Sequence, residues 1–335
     1  MLGRILIFLI LLLSAKASSQ DIHFTQFDKN PQMLNPSLTG NYTGDWRYVF
    51  NQRSQWRSVS RSYNTFAVSA ENKQELILPN LYHGVNYLND VAGDGDFRTH
   101  ELNISNAYLI YLSEDSSQSI VPSIQVGINY KNIDFNAFNY DSQFNGYQFV
   151  GSLPSNEIFI NQSYANINLA FGVGYFANFK NKARLESGIS IFNIIDKTET
   201  FMGNTSIKRN RRLSVHGKFI YPINQKWDAL PGLLYQRQGT YQELIFGSNF
   251  RHIHRNQGRD YIAPYIGAWF RNKDAINAVA GLYYNNWVGG LSYDVNISQL
   301  SPASNIRGGL EFSLQYIVNI FKPKDIQYRV CPDYL

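Results

Sequence analysis

Hydrophobic and polar residues alternate with a period of two along most of this chain. Ile124, Val126, Ile128 and Tyr130 alternate with Gln125, Gly127, Asn129 and Lys131. Leu310, Phe312, Leu314, Tyr316 and Val318 alternate with Gly309, Glu311, Ser313 and Gln315. Trp287, Leu291, Tyr293 and Val295 stand against Val288, Gly290, Ser292, Asp294 and Asn296, and Ile167, Leu169, Phe171, Val173 and Tyr175 against Asn166, Asn168, Gly172 and Gly174. Such alternation over roughly ten residues marks a transmembrane β-strand. The pattern predicts fourteen strands, near 45–56, 61–71, 81–91, 98–112, 120–131, 165–178, 183–194, 211–221, 227–236, 242–251, 261–271, 275–283, 286–296 and 304–318. Soluble sandwich strands alternate too, but they run about 5–6 residues, shorter than these.

An even strand number is what single-chain bacterial barrels have. The expected fold is therefore all-β, a transmembrane antiparallel β-barrel of about 14 strands over 45–320, preceded by an N-terminal periplasmic or plug-like segment at 20–44 and followed by a C-terminal periplasmic tail at 321–335. With both termini periplasmic, the two longest connections, about 132–164 and 195–210, fall outside the cell, where barrels place long loops. That topology puts the first half of the stretch from Gln20 to Trp56 on the periplasmic side.

The extreme N-terminus reads differently. Arg4 precedes an apolar run from Ile5 to Leu13 and the small residues around Ala17 and Ser19, the layout of a secretory signal peptide at 1–19. The run is too short for a membrane helix, and no Cys at the cleavage point offers a lipid anchor. Composition agrees with export to the outer membrane. Aromatics make up 15% of residues and charged residues only 16%, below the roughly 25% of soluble domains. The net charge of +5 drops by two when Arg4 and Lys16 leave with the leader, too little for a nucleic-acid partner. Cys331, the single cysteine, forms no internal disulfide.

Candidate chemistry is sparse. Asp90, Asp94, Gly95, Asp96 and Glu101 echo a calcium loop, but Ala92 fills a ligand position and the flanks are strand-like; an acidic Asp-Gly hairpin is the plainer reading. His252 and His254 lie between Arg251 and Arg255, whose charges oppose a metal, and a periplasmic turn explains them better. Lys208, Arg209, Arg211 and Arg212 form a basic run at the end of an external loop, suited to lipopolysaccharide phosphates or simply a solvated strand end. No Gly-x-Ser-x-Gly elbow, His-Glu-x-x-His pair or phosphate loop is present. His216, on a polar strand face with Ser214 and Lys218, reads as lumen-facing rather than hydrolytic. No catalytic, metal or cofactor site is expected.

The stretch before the first strand is the least barrel-like. It contains Asp21-Ile22-His23-Phe24-Thr25-Gln26-Phe27, the steps Asn30-Pro31 and Asn35-Pro36, Gly40, and Arg53-Ser54-Gln55-Trp56. Each Asn-Pro step disfavours helix at the Asn and removes a donor at the Pro, and Asn side chains close local turns. His23, Phe24 and Phe27 offer an aromatic edge to the barrel or to a periplasmic partner. These motifs, with Asn89-Asp90, Gly93 and Cys331-Pro332, resemble the PorP/SprF family of type IX secretion outer-membrane proteins, although Ile22, Phe27 and Ser37 replace the usual Pro, Tyr and Ala.

The resemblance implies a non-enzymatic outer-membrane component that supports export or surface anchoring of a secreted protein, gliding adhesins among them, through other type IX secretion components. It assigns partner binding to His23, Phe24, Phe27, Asn30, Pro31, Asn35, Pro36, Arg53, Gln55 and Trp56. The alternative is a diffusion porin or solute channel with Lys131, Asp294 and Glu311 facing its lumen.

Overall fold

The computed structural model describes residues 21–55, 61–74, 77–195, 198–201, 203, 208–257, 260–297 and 307–320. The leader 1–19, Trp56 and the tail 321–335 with Cys331-Pro332 lie outside the described residues. Fourteen long strands follow in order: β1 (Trp46–Gln55), β2 (Tyr63–Asn72), β3 (Leu81–Ala92), β4 (Phe97–Tyr108), β5 (Gln118–Asn132), β6 (Ser163–Asn178) and β7 (Arg184–Phe192), then β8 (Arg212–Pro222), β9 (Trp227–Gln238), β10 (Tyr241–His252), β11 (Asp260–Arg271), β12 (Ala275–Tyr284), β13 (Trp287–Asn296) and β14 (Arg307–Val318). Every neighbouring pair is antiparallel. β1 pairs with β2 on one side and with β14 on the other, in register from Trp46↔Val318 to Ser54↔Leu310, so the sheet closes on itself.

Closure leaves no strand edge, the condition for placing a sheet in lipid, where an unpaired backbone group has no water to bond. A twelve-residue strand rises about 40 Å; tilted near 45°, it projects about 28 Å along the membrane normal. No helix among the described residues is long and apolar enough to cross a membrane.

The burial pattern is inverted relative to a soluble protein. On β5, Ile128 is 56% exposed while neighbouring Asn129 is fully buried, and the alternation continues through exposed Val126 and buried Gln125. The outward face is apolar because it meets hydrocarbon; the inward face is polar because it does not. Outward aromatics gather where the strands begin and end: Trp46 stacks beside Tyr48, Trp287 on Tyr316 at 4.2 Å, and Trp227 lies near His252. We call that end, where β1 starts and β14 finishes, the terminal rim.

The strand boundaries match the sequence pattern to within a few residues. The stretch expected at 183–194 stops at Phe192 because Asn193 adopts φ +58°. The expected 98–112 strand breaks after Tyr108 and resumes as a two-residue ladder, Ile110–Tyr111 with Ser119 and Ile120. The described parts of the long connections after β5 and β7 both lie at the rim opposite the terminal rim.

On this geometry Val126→Lys, mid-strand on the lipid face, should cost about 2–4 kcal/mol of folding free energy in vesicles. Glu114→Lys, in a terminal-rim turn, should stay within about 0.5 kcal/mol. Denaturant titration in lipid measures both.

Candidate functional site

A closed sheet with polar side chains pointing inward creates its own difficulty, because those groups need partners. Residues 21–44 supply them. The segment lies inside the lumen, with Phe24, Thr25, Gln26, Phe27, Asn30, Gln32, Asn35, Ser37 and Leu38 all buried.

Local chemistry shapes the segment as the Asn-Pro steps imply. Asn30 (φ −126°, ψ 76°) and Asn35 (φ −159°, ψ 124°) are non-helical, and each precedes one short turn: an α-turn at Pro31–Leu34 and a 3-10 turn at Pro36–Leu38. The Asn35 side-chain oxygen accepts from the Ser37 N–H at 2.9 Å, capping the second turn; Asn30 makes no such cap. Gly40 follows with φ +79°, where a Cβ would strike the Tyr82 ring.

The segment crosses the lumen from one rim to the other. At its start, Arg209 Nε and Nη2 donate to Asp21 at 2.9 and 2.8 Å, Asn193 donates to the same carboxylate, and the Asp21 N–H donates to Gln238. All three wall residues lie at the rim opposite the terminal rim, so the stretch begins there and reaches the terminal rim only near Leu38 and Gly40, whereas the sequence reading put its whole first half on the side of the strand termini. Burial pushes the Asp21 carboxyl up, but Arg209 and Arg212 overcome this and hold it well below the usual carboxylate range.

Deeper in, the Thr25 and Gln26 N–H groups donate to Glu311 at 2.6 and 2.9 Å, and the Thr25 hydroxyl donates to Asp294. Arg53 binds the His23 carbonyl oxygen at 2.5 Å and Asp294 at 2.8 Å, and Arg271 lies 3.2 Å from Glu243. Lys218 donates to Asp28 at 2.9 Å. Near the terminal rim, Arg47 makes a bidentate pair with Glu71, Nη2 to Oε2 at 2.7 Å and Nε to Oε1 at 3.1 Å, while binding the Leu38 carbonyl oxygen, and Glu71 accepts from the Gly40 N–H. Two apolar clusters sit among these contacts. Phe24 joins Ala67 and Leu88; Phe27 meets Trp269 edge-on at 5.2 Å beside Leu34, Leu38 and Ile245.

Lumen-facing glycines make room for the segment. A Cβ at Gly172 would lie 2.1 Å from Asn35 Oδ1, one at Gly188 2.6 Å from Asn35 Nδ2, and one at Gly290 2.4 Å from Gln26 Oε1. The wall is contoured to its occupant.

Of the residues expected to meet a partner, His23, Phe24, Phe27, Asn30, Pro31, Asn35 and Pro36 are brought together inside the barrel, with their side chains turned to the wall or to one another. Arg53 is one of their docks, and Gln55, with its amide oxygen toward Arg53, accepts from it at 3.2 Å. Their desolvated contacts are intramolecular and present no edge to a partner in this arrangement.

The basic run divides. Arg209 and Arg212 turn into the lumen, with Arg212 also binding the Met33 carbonyl oxygen at 3.1 Å, whereas Lys208 and Arg211 stay exposed at the opposite rim. The expected lumenal groups are engaged rather than lining a water column: Lys131 pairs with Glu199 at 3.0 Å, and Asp294 and Glu311 hold the segment. His216 contacts Asn35 at 3.2 Å, while Ser214 accepts from Gln236. In the Asp90–Glu101 hairpin the carboxylates diverge: Asp94 and Asp96 face Arg61, and Glu101 points inward to Arg209. Among the described residues no group of three or more His, Cys, Asp or Glu is placed to hold a metal ion.

Sequence reasoning missed Arg47, Glu71, Glu243 and Arg271, and it placed Lys218 on the inward face without assigning it a partner. The available signal was their strand parity: each is a long charged residue on the inward face, where a merely solvated lumen needs no matched charge.

Fold and lumen together define an outer-membrane β-barrel closed by its own N-terminal segment. The chain belongs to the family of type IX secretion system membrane proteins PorP/SprF, whose model matches residues 16–316. No curated protein matches it. Solved structures sharing the fold include the toluene transporter TodX of Pseudomonas putida (9% identity, TM-score 0.54, covering 90% of this chain and 96% of that one). The toluene transporter TbuX of Ralstonia pickettii is similar (9%, 0.52, 86% and 93%), as is a Pseudomonas aeruginosa FadL homologue (8%, 0.52, 86% and 94%). At these identities the likeness is one of fold.

Two outcomes follow. Gly172→Ala should destabilise the protein by about 1–3 kcal/mol through overpacking, and adding Asn35→Ala should recover part of that loss; thermal midpoints of the four proteins of the cycle measure the coupling. The second concerns pH. Burial, then Arg53 and Arg271, hold the His23 imidazole well below its ordinary value, so it is neutral and its 3.6 Å approach to Glu243 is not an ion pair. A released, hydrated His23 protonates below about pH 6.5 and the docked one does not. Docking is therefore strongest above that pH and weakens by about 1.4 kcal/mol per unit as pH falls towards the docked value. Asp21 and Asp28, both depressed, act only below the ordinary carboxylate range. His23→Gln should flatten the dependence between pH 6.5 and 5, read by Trp269 fluorescence against Phe27.

Proposed function

We propose that this barrel is a non-enzymatic, plugged scaffold of the type IX secretion machinery, which supports export or surface anchoring of a secreted protein, such as an adhesin, through contacts at its rims. The observation that carries the reading is the occupied lumen: a chain filled from Asp21 to Tyr42 by its own residues offers solutes no open path. The terminal rim faces the periplasm and other secretion components; the opposite rim, with the long β5–β6 connection, faces outward. That connection exposes Tyr147 and Ile158 at 96% and 84%, apolar surface of the kind that marks an interaction site. Lys208 and Arg211 stand at the same rim, where lipopolysaccharide phosphates would meet them.

The channel reading requires the segment to leave, so one deletion separates the two. Removing residues 21–44 should turn a nearly silent barrel into a conducting one in planar bilayers, while detergent co-purification with mass spectrometry still recovers the secretion components. Tyr147→Ser with Ile158→Ser should leave stability unchanged and lower the recovered secreted protein. Comparable conductance before and after the deletion would favour the solute channel; undiminished capture by the loop variant would remove the loop from the mechanism.

A further inference from the structure

A cavity of about 230 Å³ opens at the terminal rim beneath the place where the plug joins β1, and the plug contacts described above do not use it. At about 30 Å³ per water it holds roughly eight, the size of a small organic molecule.

Its wall is chemically one-sided. Lys73 and Arg184 line it, and no acidic residue does. Leu109, Val121 and Phe176 supply an apolar patch. Ser37 and Thr39 border it on the plug side, with their hydroxyl oxygens buried behind the lining.

The surrounding charges leave the cations capacity to spare. Lys73 donates to the Tyr42 carbonyl oxygen at 2.9 Å and sits over the Tyr42 and Tyr82 rings, and an ammonium has three donors. Arg184 donates through Nη2 to Asn41 and turns Nε to Glu186 at 3.2 Å, outside the lining, which leaves Nη1 as its remaining donor nitrogen. Arg47 is occupied by Glu71, and Asp45 attracts Lys73 only weakly. Burial first, then Arg184 and Arg47, lower the Lys73 ammonium from its ordinary value, as expected where cations crowd without a matching anion.

We propose that this cavity is a binding site for an organic carboxylate with a small apolar body, the carboxylate held by Lys73 and Arg184 and the body resting on Leu109, Val121 and Phe176. The same chemistry is presented by a free aromatic or aliphatic acid and by the C-terminal residue of a polypeptide. The site does not depend on the scaffold role above, because it is defined by binding alone.

The test is calorimetric titration of the full chain in detergent with phenylacetate, phenylacetamide and inorganic phosphate. Phenylacetate should bind at least tenfold more tightly than either of the others. Lys73→Gln should weaken it at least tenfold, and Ser119→Phe, which fills the cavity from its β5 wall, should abolish it. A tripeptide ending in Phe with a free carboxylate, compared with its amide, separates the sources: binding of the free form alone assigns a chain end, and no peptide binding assigns a free acid. Equal binding of acid and amide, phosphate binding as tight as phenylacetate, or binding that survives Ser119→Phe overturns the proposal. If Lys73→Gln fails to fold, the acid–amide contrast and Ser119→Phe still decide.

Discussion

Turning a sheet inside out moves the hydrophobic problem outward and leaves a polar one behind. The outward face needs only lipid. The inward face carries Arg47, Arg53, Glu71, Glu243, Arg271, Asp294 and Glu311 at near-complete burial, and an isolated buried charge costs far more than a paired one returns. Everything particular to this molecule follows from how that face is satisfied. Wall pairs such as Arg47–Glu71 and Arg53–Asp294 neutralise part of it. The remainder is matched by the segment, which presents backbone N–H groups to Glu311, Asp21 to Arg209, and Asp28 to Lys218.

Those three matches lie at different heights and so fix the segment's direction as well as its presence. Asp21 is held at the rim opposite the termini, and Gly40 beside Glu71 close to the rim where β1 begins. Between them the two proline-led turns shorten the path, and glycines at 172, 188 and 290 lower the wall where Asn35 and Gln26 come closest. The geometry is mutual: the Asn-Pro steps shape a segment that is not a strand, and the missing Cβ atoms shape a wall that accepts it.

The barrel was legible in the sequence because each strand carries its own evidence: period two, length near ten, and an even count are local properties that sum. The segment was legible only as an exception. Its turns followed from Asn30-Pro31 and Asn35-Pro36, and Arg53 belonged to the same motif. Its location did not, because Phe24 and Phe27 read identically whether they dock inward on Leu88 and Trp269 or outward on a partner. The charge matches were also hidden. Asp21 and Arg209 are separated by 188 positions, and only closure of the sheet brings β8 and the segment's start to one rim. For the same reason the basic run at 208–212 looked like one surface patch, when Arg212 turns inward at the start of β8, Arg209 reaches inward from the loop before it, and Lys208 and Arg211 stay exposed.

Release of the segment would not leave a neutral pore. The wall pairs stay with the wall, but Asp21, Asp28 and Lys29 leave with the segment, and His23 leaves as a neutral group. The lumen therefore loses one net negative charge, and the loss is local: Arg212 and Lys218 each lose an acidic partner at a different depth, while Arg209 keeps Glu101. Glu311 is affected differently, since its close donors are the Thr25 and Gln26 amides, and without them it faces Arg53 only at 4.0 Å. A small ion can answer one of these needs. The three needs lie at different depths, so no single small ion answers them all. A displacing agent must supply differential affinity for the open state to shift the equilibrium at all, and here that means acids for Arg212 and Lys218 and donors for Glu311.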